Sequence, residues 1–236
     1  MNEQFTALLF ALQRSGWVIE LKETPSLELP AKIVDRFPYF PGDLHMFLNV
    51  VKSCVNARQT AWLLCEDDYN GENSRSAFSW DDFERMSVQA AQGQPDWLGE
   101  IDQFWRRYLP IAQSVQSGYA YLAMDMSDPN TSTVIYGREP EFEEPGYICG
   151  SFEQLIRIIA GVDAGPEVVI LDFPGTSQSV EGAGYHPHSL TLGGPAGQNL
   201  TQTGETQSSK NPNHSEATDI HIQVARVIKL KQASIP

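Results

Sequence analysis

Apolar residues at helical spacing alternate with short apolar runs through the N-terminal half of the chain. Phe5, Leu8, Leu9 and Leu12 fall at i, i+3, i+4 and i+7, which predicts an amphipathic helix ending at Ser15-Gly16. Similar patterns predict a strand with Trp17, Ile19 and Leu21, a short helix through Ile33, Val34 and Phe37, a helix with Leu44, Phe47 and Leu48 on one face, a strand over residues 61–65, and a helix over residues 80–88 capped by Ser79. A polar loop is expected at residues 66–71.

The densest apolar block runs from residue 101 to residue 159. Ile101, Phe104, Trp105 and Tyr108 predict a helix that Pro110 stops, because the proline ring cannot follow another helical turn. The uncharged, aromatic-rich run 119–124 predicts a strand buried on both faces. A second short strand at 134–136 is expected to end at the glycine that follows, and an exposed acidic loop comes next.

Ser151 and Gln154 have the spacing of a capping box, which predicts the start of a helix at this point. Residues 167–173 form a last apolar run and predict a final strand. Helices and strands are therefore mixed in one α+β domain over residues 1–173. Its predicted core contains Trp62, Phe104, Trp105, Tyr119, Tyr121, Phe142 and Phe152.

The composition changes sharply after this domain. Residues 174–217 consist mainly of Gly, Ser, Thr, Asn, Gln and Pro, and such a segment buries too little apolar surface to offset its conformational entropy. We expect a flexible segment there. Residues 218–236 contain an alternating stretch, 219–224, typical of a half-buried strand. It could dock back on the domain, add to the sheet of another chain, or be a spurious tail.

The chain is strongly acidic, with 236 residues, a formal net charge of −14 and a pI near 4.7. Residues 1–169 contain 12 Lys and Arg against 25 Asp and Glu, a difference of −13, so most of the charge lies on the predicted domain. Such a field repels nucleic acid and anionic membranes and attracts a basic protein partner. The alternative is that the charge only keeps the protein soluble.

The cysteines and the N-terminus indicate the compartment. Cys54, Cys65 and Cys149 are odd in number and form no Cys-x-x-Cys pair, so neither a disulfide framework nor a zinc knuckle is indicated. The first residues lack a basic signal region, and no apolar run approaches the length needed to span a membrane. We expect a reduced, cytoplasmic protein.

Clustered carboxylates are the most prominent polar feature. Glu139, Glu141, Glu143 and Glu144 surround Phe142, and we interpret them as a solvated recognition surface for a cationic partner. The alternative is general acid–base catalysis, which needs carboxylates with different pKa values. Asp67 and Asp68 are a second candidate for partner binding; they lack the spacing of a calcium loop.

Other groups offer weaker chemistry. His186 and His188 stand close together but without a cysteine or acid at fixed spacing, so adventitious metal affinity is the most they indicate. Neither a Gly-x-Ser-x-Gly motif nor a phosphate-binding loop occurs in the sequence. We therefore predict no catalytic residue, no metal site and no cofactor.

The order of these features resembles the SUKH superfamily, which is named after yeast cell-wall-synthesis regulators and a set of bacterial immunity proteins. The resemblance covers roughly residues 5–161. It rests on the following segments: Leu29-Pro30, Phe40-Pro41-Gly42-Asp43-Leu44, Ala61-Trp62-Leu63-Leu64, Phe104-Trp105, Gly118-Tyr119-Ala120-Tyr121, Val134-Ile135-Tyr136-Gly137, residues 139–144 and Ser151-Phe152. The acidic junction after Trp62 departs from the family pattern, and nothing after residue 173 has a counterpart.

The resemblance implies a mostly antiparallel central sheet packed by helices, without a catalytic centre. It also implies a protein that neutralises a toxin, often a nuclease, by binding it. We therefore expect an immunity-type protein that occludes the basic site of a cognate toxin and binds neither nucleic acid nor membrane itself. The alternatives are a regulatory or scaffold module without a toxin partner, and a hydrolase or metal enzyme that would use Glu141 and Glu143 or the pair His186 and His188.

Overall fold

The computed structural model of the protein describes residues 3–71, 78–128 and 132–175. All of these residues belong to one compact unit that spans residues 1–177. The predicted segments 174–217 and 218–236 lie outside the described residues, except for the first two positions. Among the described residues no helix is long and apolar enough to cross a membrane.

The described residues form eight helices and seven strands. The helices are α1 (Glu3–Arg14), α2 (Ala31–Arg36), α3 (Gly42–Val50), α4 (Glu66–Asn70), α5 (Asp82–Ala90), α6 (Pro95–Arg107), α7 (Phe152–Ile159) and α8 (Glu167–Asp172). The strands are β1 (Trp17–Leu21), β2 (Val51–Asn56), β3 (Ala61–Leu63), β4 (Tyr108–Ser114), β5 (Ala120–Asp125), β6 (Val134–Arg138) and β7 (Glu141–Cys149).

The seven strands make one antiparallel sheet in the order β1-β2-β3-β4-β5-β6-β7. Each strand pairs with the next one in sequence, as short connections favour. The predicted α+β class with an antiparallel sheet is therefore confirmed. Strands β1 and β7 form the two edges of this sheet.

Both faces of the sheet are covered by helices. Side chains of a strand alternate between faces, and in β5 Leu122 and Met124 join one buried cluster while Tyr121 and Ala123 join another. The first cluster is mainly aliphatic and contains residues of α1, α3 and α7. The second is rich in aromatic side chains from α5, α6 and the strands. The predicted burial of residues 119–124 on both faces is confirmed from Ala120 onward.

Several predicted elements are confirmed with small changes at their ends. Helix α1, strand β1, helix α3 and helix α7 all lie where the periodicity predicts them. The hydroxyl of Ser151 accepts a hydrogen bond from the Gln154 N–H at 3.0 Å, as an N-cap does. The Gln154 amide oxygen accepts from the Gly150 N–H instead of Ser151, so only one half of the predicted capping box forms.

The prediction that the helix extends through Tyr108 to a stop at Pro110 is wrong. Helix α6 ends at Arg107, and Tyr108 takes an extended conformation that begins strand β4. Pro110 lies inside this strand next to a register shift between Pro110 and Ala112. Proline is tolerated at such an irregularity because no ladder hydrogen bond is required from its nitrogen.

The predicted final strand at residues 167–173 is also wrong, because these residues form helix α8. Val169, Asp172 and Phe173 are buried at helical spacing, whereas Val168, Ile170 and Leu171 are exposed. A short apolar run is compatible with either structure, and contact with α7 and the sheet decides between them. The buried Asp172 carboxylate accepts hydrogen bonds from the hydroxyls of Ser117 and Tyr136.

Candidate functional site

The predicted acidic loop is largely a strand. Only Glu139 and Pro140 make the turn after β6, and β7 begins at Glu141, which lies opposite Arg138. The interpretation of Glu141, Glu143 and Glu144 as loop residues is therefore wrong. The alternation of these acids with the buried Phe142 is strand periodicity, which turns one side of β7 toward the core.

Glu139 and Glu143 each accept a hydrogen bond that joins separate segments of the fold. One carboxylate oxygen of Glu139 accepts a hydrogen bond from the backbone N–H of Tyr119 at 3.1 Å. One carboxylate oxygen of Glu143 accepts a hydrogen bond from the indole Nε1–H of Trp105 at 2.7 Å, which joins β7 to α6. Both side chains are half-buried. These contacts make Glu139 and Glu143 structural acceptors, which reduces what they offer to a partner.

An aromatic cluster supports the first half of β7. The ring of Phe142 stacks on Phe83 with centroids 4.9 Å apart and an interplanar angle of 17°. The ring of Trp105 lies 5.1 Å from that of Tyr121, whose hydroxyl donates to the Phe142 carbonyl. Gly137 allows this arrangement, because a Cβ at that position would lie 2.4 Å from the Tyr121 ring. Strand β6 therefore continues through this glycine instead of ending there.

Most of the predicted core residues are buried. Trp62, Trp105, Tyr121, Phe142 and Phe152 are each exposed by 5% or less. The prediction that Phe104 and Tyr119 belong to the buried core is wrong, because both side chains are only half-buried at the rim of the aromatic cluster. The predicted inward orientation of Phe142 is confirmed.

Three exposed side chains lie along the edge strand β7, and we call them together the acidic edge: Glu141, Glu144 and Tyr147. Both glutamates are exposed, and Tyr147 is 68% exposed. Sequence reasoning did not single out Tyr147, because Pro145-Gly146 interrupts the strand pattern. The available signal was an aromatic residue within the same run as the acidic residues.

The second predicted acidic pair, Asp67 and Asp68, lies in a helix and is less exposed than the acidic edge. Residues 66–70 form the short helix α4, so the prediction of a polar loop is wrong here. Asp68 is 4% exposed, and its carboxylate accepts the Cys65 backbone N–H at 2.7 Å, as a side chain in the first turn of a helix does. Its burial contradicts the prediction of Asp68 as a partner-binding residue. Asp67 is half-buried.

The two acidic groups do not form one site. Helix α4 follows β3, and three strands separate β3 from β7 in the sheet. Neighbouring strands lie roughly 4.8 Å apart, so β3 and β7 are about 19 Å apart. Asp67 and Asp68 therefore do not lie beside the acidic edge and do not form part of the same contact surface.

The cysteines are buried and free. Burial raises the pKa of the Cys149 thiol to about 11, and burial also raises the pKa of Cys54 and Cys65 above the ordinary value. A thiol with a raised pKa stays protonated at neutral pH and is a poor nucleophile. These three side chains are therefore packing residues, in agreement with their position in the core.

The described residues 3–71, 78–128 and 132–175 contain metal-ligating side chains only at scattered positions. There, no three or more His, Cys, Asp and Glu side chains stand close enough together to hold a metal ion. The candidate pair His186 and His188 lies outside the described residues. His45, the histidine of α3, is exposed.

The structure also contains a groove that sequence reasoning missed. We call it the helix groove; it lies along α2, α5 and α6 and is lined by Lys32, Arg36, Trp80, Glu84, Val88 and Arg106, among others. Two adjoining cavities of about 480 and 460 Å³ share Lys32 and Arg36. The four-residue spacing of these two cations was the signal in the sequence.

Comparison with known proteins returned no protein-family model, no curated protein and no solved structure that matches this chain.

Proposed function

We propose that this chain is a cytoplasmic, non-enzymatic binding protein of the SUKH type that neutralises a basic protein toxin by covering its cationic site. The acidic edge carries this proposal, because it combines two exposed carboxylates with an exposed tyrosine on one strand. The antiparallel sheet packed by helices is the architecture that the SUKH resemblance implies, and it supports the proposal.

The distribution of charge favours a basic partner. Many lysines and arginines of the described residues already form ion pairs with carboxylates, among them Arg36 with Glu84 at 2.9 Å and Arg107 with Asp125 at 2.6 Å. Because the chain contains nearly twice as many acidic as basic residues, carboxylates remain in excess after this pairing. The excess creates a negative field that steers a cationic surface toward the protein.

The acidic edge is also suited to tight contact once the partner has arrived. Tyr147 offers a ring face to lysine or arginine side chains, and tyrosine is enriched among residues that dominate binding energy. Glu141 and Glu144 supply carboxylates that accept bidentate hydrogen bonds from arginine. The buried Phe142 and the bond from Trp105 to Glu143 hold this strand in place, so little ordering is required on binding.

The experiment uses co-expression with the product of the adjacent reading frame in a bacterial host. We expect that product to arrest growth and the wild-type chain to relieve the arrest. The double variant Glu141→Lys/Glu144→Lys should fail to protect, because it places repulsive charge at the contact. The matched control Glu3→Lys/Glu23→Lys changes the net charge equally at exposed positions outside β7 and should still protect.

The result separates three situations. Equal protection by both double variants would remove the acidic edge from the interface. Loss of protection in both would mean that overall charge, not the acidic edge, supports binding. An adjacent product that neither binds nor harms the host would overturn the toxin proposal and favour a regulatory or scaffold module. Thermal unfolding of each variant confirms that the fold is retained.

A further inference from the structure

Strand β7 is much longer than the strand with which it pairs. It has nine residues, whereas β6 has five. The ladder pairs Arg138 with Glu141, and the next pair is Tyr136 with Gly146. Four residues of β7, 142–145, therefore lie opposite a single residue of β6, and we call these four the β7 bulge. Bulges bend a strand and are common at sheet edges, where they change the direction of side chains.

The bulge is joined to the interior of the sheet by a tyrosine. The carbonyl of Phe142, at the start of the bulge, accepts a hydrogen bond from the hydroxyl of Tyr121 on β5. The partner of Tyr121 on the intervening strand β6 is Gly137. A Cβ at Gly137 would overlap the tip of the Tyr121 ring. The phenol side chain therefore crosses β6 at a residue that has no side chain and reaches the second strand along.

This hydrogen bond lies in a buried environment. Tyr121 is 0% exposed and Phe142 is 4% exposed. Burial raises the pKa of Tyr121 well above its ordinary value, and the nearby Glu143 carboxylate adds to the rise. The hydroxyl therefore stays protonated and remains a donor. Without it, the buried carbonyl would lose its partner, at a cost in free energy.

The two exposed glutamates flank the anchored part of the bulge. Phe142 is held by its ring and by its carbonyl, and Glu143 is held by the indole of Trp105. Glu141 comes directly before this pair and Glu144 directly after it. The backbone path through the bulge therefore decides how the two carboxylates are presented. Of the three contacts, the one from Tyr121 is made to the backbone itself.

We propose that Tyr121 is a positioning residue of the acidic edge, and that its hydroxyl holds the β7 bulge in the conformation that presents Glu141 and Glu144 to the basic partner. The inference rests on the proposed function and adds a buried residue that the partner does not touch. A bulge held in place needs less ordering on binding, which slows dissociation. Association is steered by charge and does not depend on the hydroxyl.

The test compares two conservative variants of the full-length protein. Tyr121→Phe removes the hydroxyl and keeps the ring. Tyr69→Phe is the matched control, because Tyr69 is also 0% exposed and its hydroxyl also donates to a backbone carbonyl, that of Pro110 at 2.7 Å. Both variants lose one buried hydrogen bond of the same kind, but only Tyr121 contacts the β7 bulge through it.

The first readout is the exchange of the Trp105 indole proton with solvent, followed in protein labelled with ¹⁵N at its five tryptophans. The Trp105→Phe variant identifies this resonance. Exchange should be about tenfold faster in Tyr121→Phe, because Glu143, next to the freed carbonyl, then holds the indole proton less firmly. In Tyr69→Phe the rate should stay within about twofold of wild type, because that bond is made outside the bulge.

The second readout is the binding kinetics of the adjacent reading frame's product. This product should dissociate about tenfold faster from Tyr121→Phe, and its association rate should stay within about twofold, because the charge is unchanged. Tyr69→Phe should leave both rates within about twofold of wild type.

Each outcome has a distinct meaning. Unchanged indole exchange in Tyr121→Phe would overturn the proposal, since the hydroxyl would then not hold the bulge. Equal effects of the two tyrosine variants would reflect a general loss of stability and would overturn it as well. Faster indole exchange without faster dissociation would overturn the positioning role and leave the proposed function intact. If the wild-type chain does not bind the adjacent product, the proposed function itself fails, and the positioning role fails with it.

Discussion

At one edge of the sheet, β1 exposes Val18 and Leu21 and carries an ion pair between Glu20 and Lys52. At the other edge, β7 exposes Glu141 and Glu144 together with Tyr147, and Pro145 interrupts its middle. Exposed sheet edges invite pairing with other chains, and charges or proline reduce that tendency. Strand β7 has both exposed charges and a proline, so contact through its side chains is favoured over pairing with an added strand.

The support beneath the two edges differs as well. Strand β1 turns Trp17 into the mainly aliphatic cluster, whereas β7 turns Phe142 into the aromatic cluster and is further joined to α6 through Glu143. Hydrogen bonds from tryptophan and tyrosine add direction to packing that is otherwise non-directional. Strand β7 is therefore joined to a helix by a side-chain hydrogen bond as well as by packing, which suits the recognition surface proposed for it.

The largest expected effect is at the buried side of β7. Phe142→Ala should lower the free energy of unfolding by about 3–5 kcal/mol, because it removes a buried ring and leaves a cavity against Phe83. Val18→Ala, on the exposed side of β1, should change it by less than about 0.5 kcal/mol. Urea unfolding measures both. Similar losses at the two positions would contradict the difference in burial between Phe142 and Val18.

A smaller effect is expected where β7 joins α6. Glu143→Leu should lower the free energy of unfolding by about 1–3 kcal/mol, because it leaves the Nε1–H of Trp105 without its acceptor. Glu143→Gln retains a carbonyl oxygen at the same distance along the side chain and should cost less. Chemical unfolding of the two variants gives the comparison. If leucine is tolerated as well as glutamine, the hydrogen bond does not stabilise this edge.

The ion pair between Arg107 and Asp125, at the end of the interior strand β5, should make the stability pH-dependent. Burial raises the pKa of Asp125, but hydrogen bonds from Arg107 and Ser127 outweigh it and hold the pKa below its ordinary value. The charged carboxylate therefore stabilises the fold above the unfolded pKa of about 3.9, and this contribution is lost as the pH falls through the lower folded value.

Asp125→Asn should accordingly lower the free energy of unfolding by about 1 kcal/mol at neutral pH. The loss is modest because the Arg107 side chain is 52% exposed to solvent. The difference between wild type and variant should shrink as the pH falls below about 4. Thermal unfolding across this range measures it. A difference that stays constant with pH would mean that the ion pair is not its source.

The smallest effect is expected at the β1 edge. The Lys52 and Glu20 side chains are 49% and 44% exposed, although their charged atoms are 2.8 Å apart. Glu20→Gln should lower the free energy of unfolding by at most about 0.5 kcal/mol. Added salt should abolish this difference between variant and wild type, since exposed ion pairs are weak and are screened by salt. A loss as large as that of Asp125→Asn would contradict the expected difference between the exposed Glu20–Lys52 pair and the partly buried Arg107–Asp125 pair.

Much of this architecture can be predicted from neighbouring residues. The spacing of Phe5, Leu8 and Leu12 predicts α1, and Ser151 predicts the start of α7, because helical periodicity and capping depend on residues within a few positions. The inward orientation of Phe142 was equally readable from its flanking acids. Strand β2 was missed, since Val51–Asn56 follows α3 without a loop to mark the boundary.

The groups that could act on a partner were harder to predict. Whether Glu143 is available depends on Trp105, which lies 38 positions away in sequence. The helix groove combines side chains from α2, α5 and α6, and no local pattern shows that these helices meet. The secondary structure of residues 167–173 was equally hard to predict, because a short apolar run is compatible with a strand or a helix until the elements packed against it are known.

The α+β class and most of the helices follow from local periodicity, because each helical turn or strand alternation is encoded by residues close together in the chain. The exposure of Glu141, Glu144 and Tyr147, the structural use of Glu139 and Glu143, and the existence of the helix groove follow from packing between distant segments. Burial and hydrogen-bond partners are properties of the assembled core, so these features emerge only when the sheet and its helices come together.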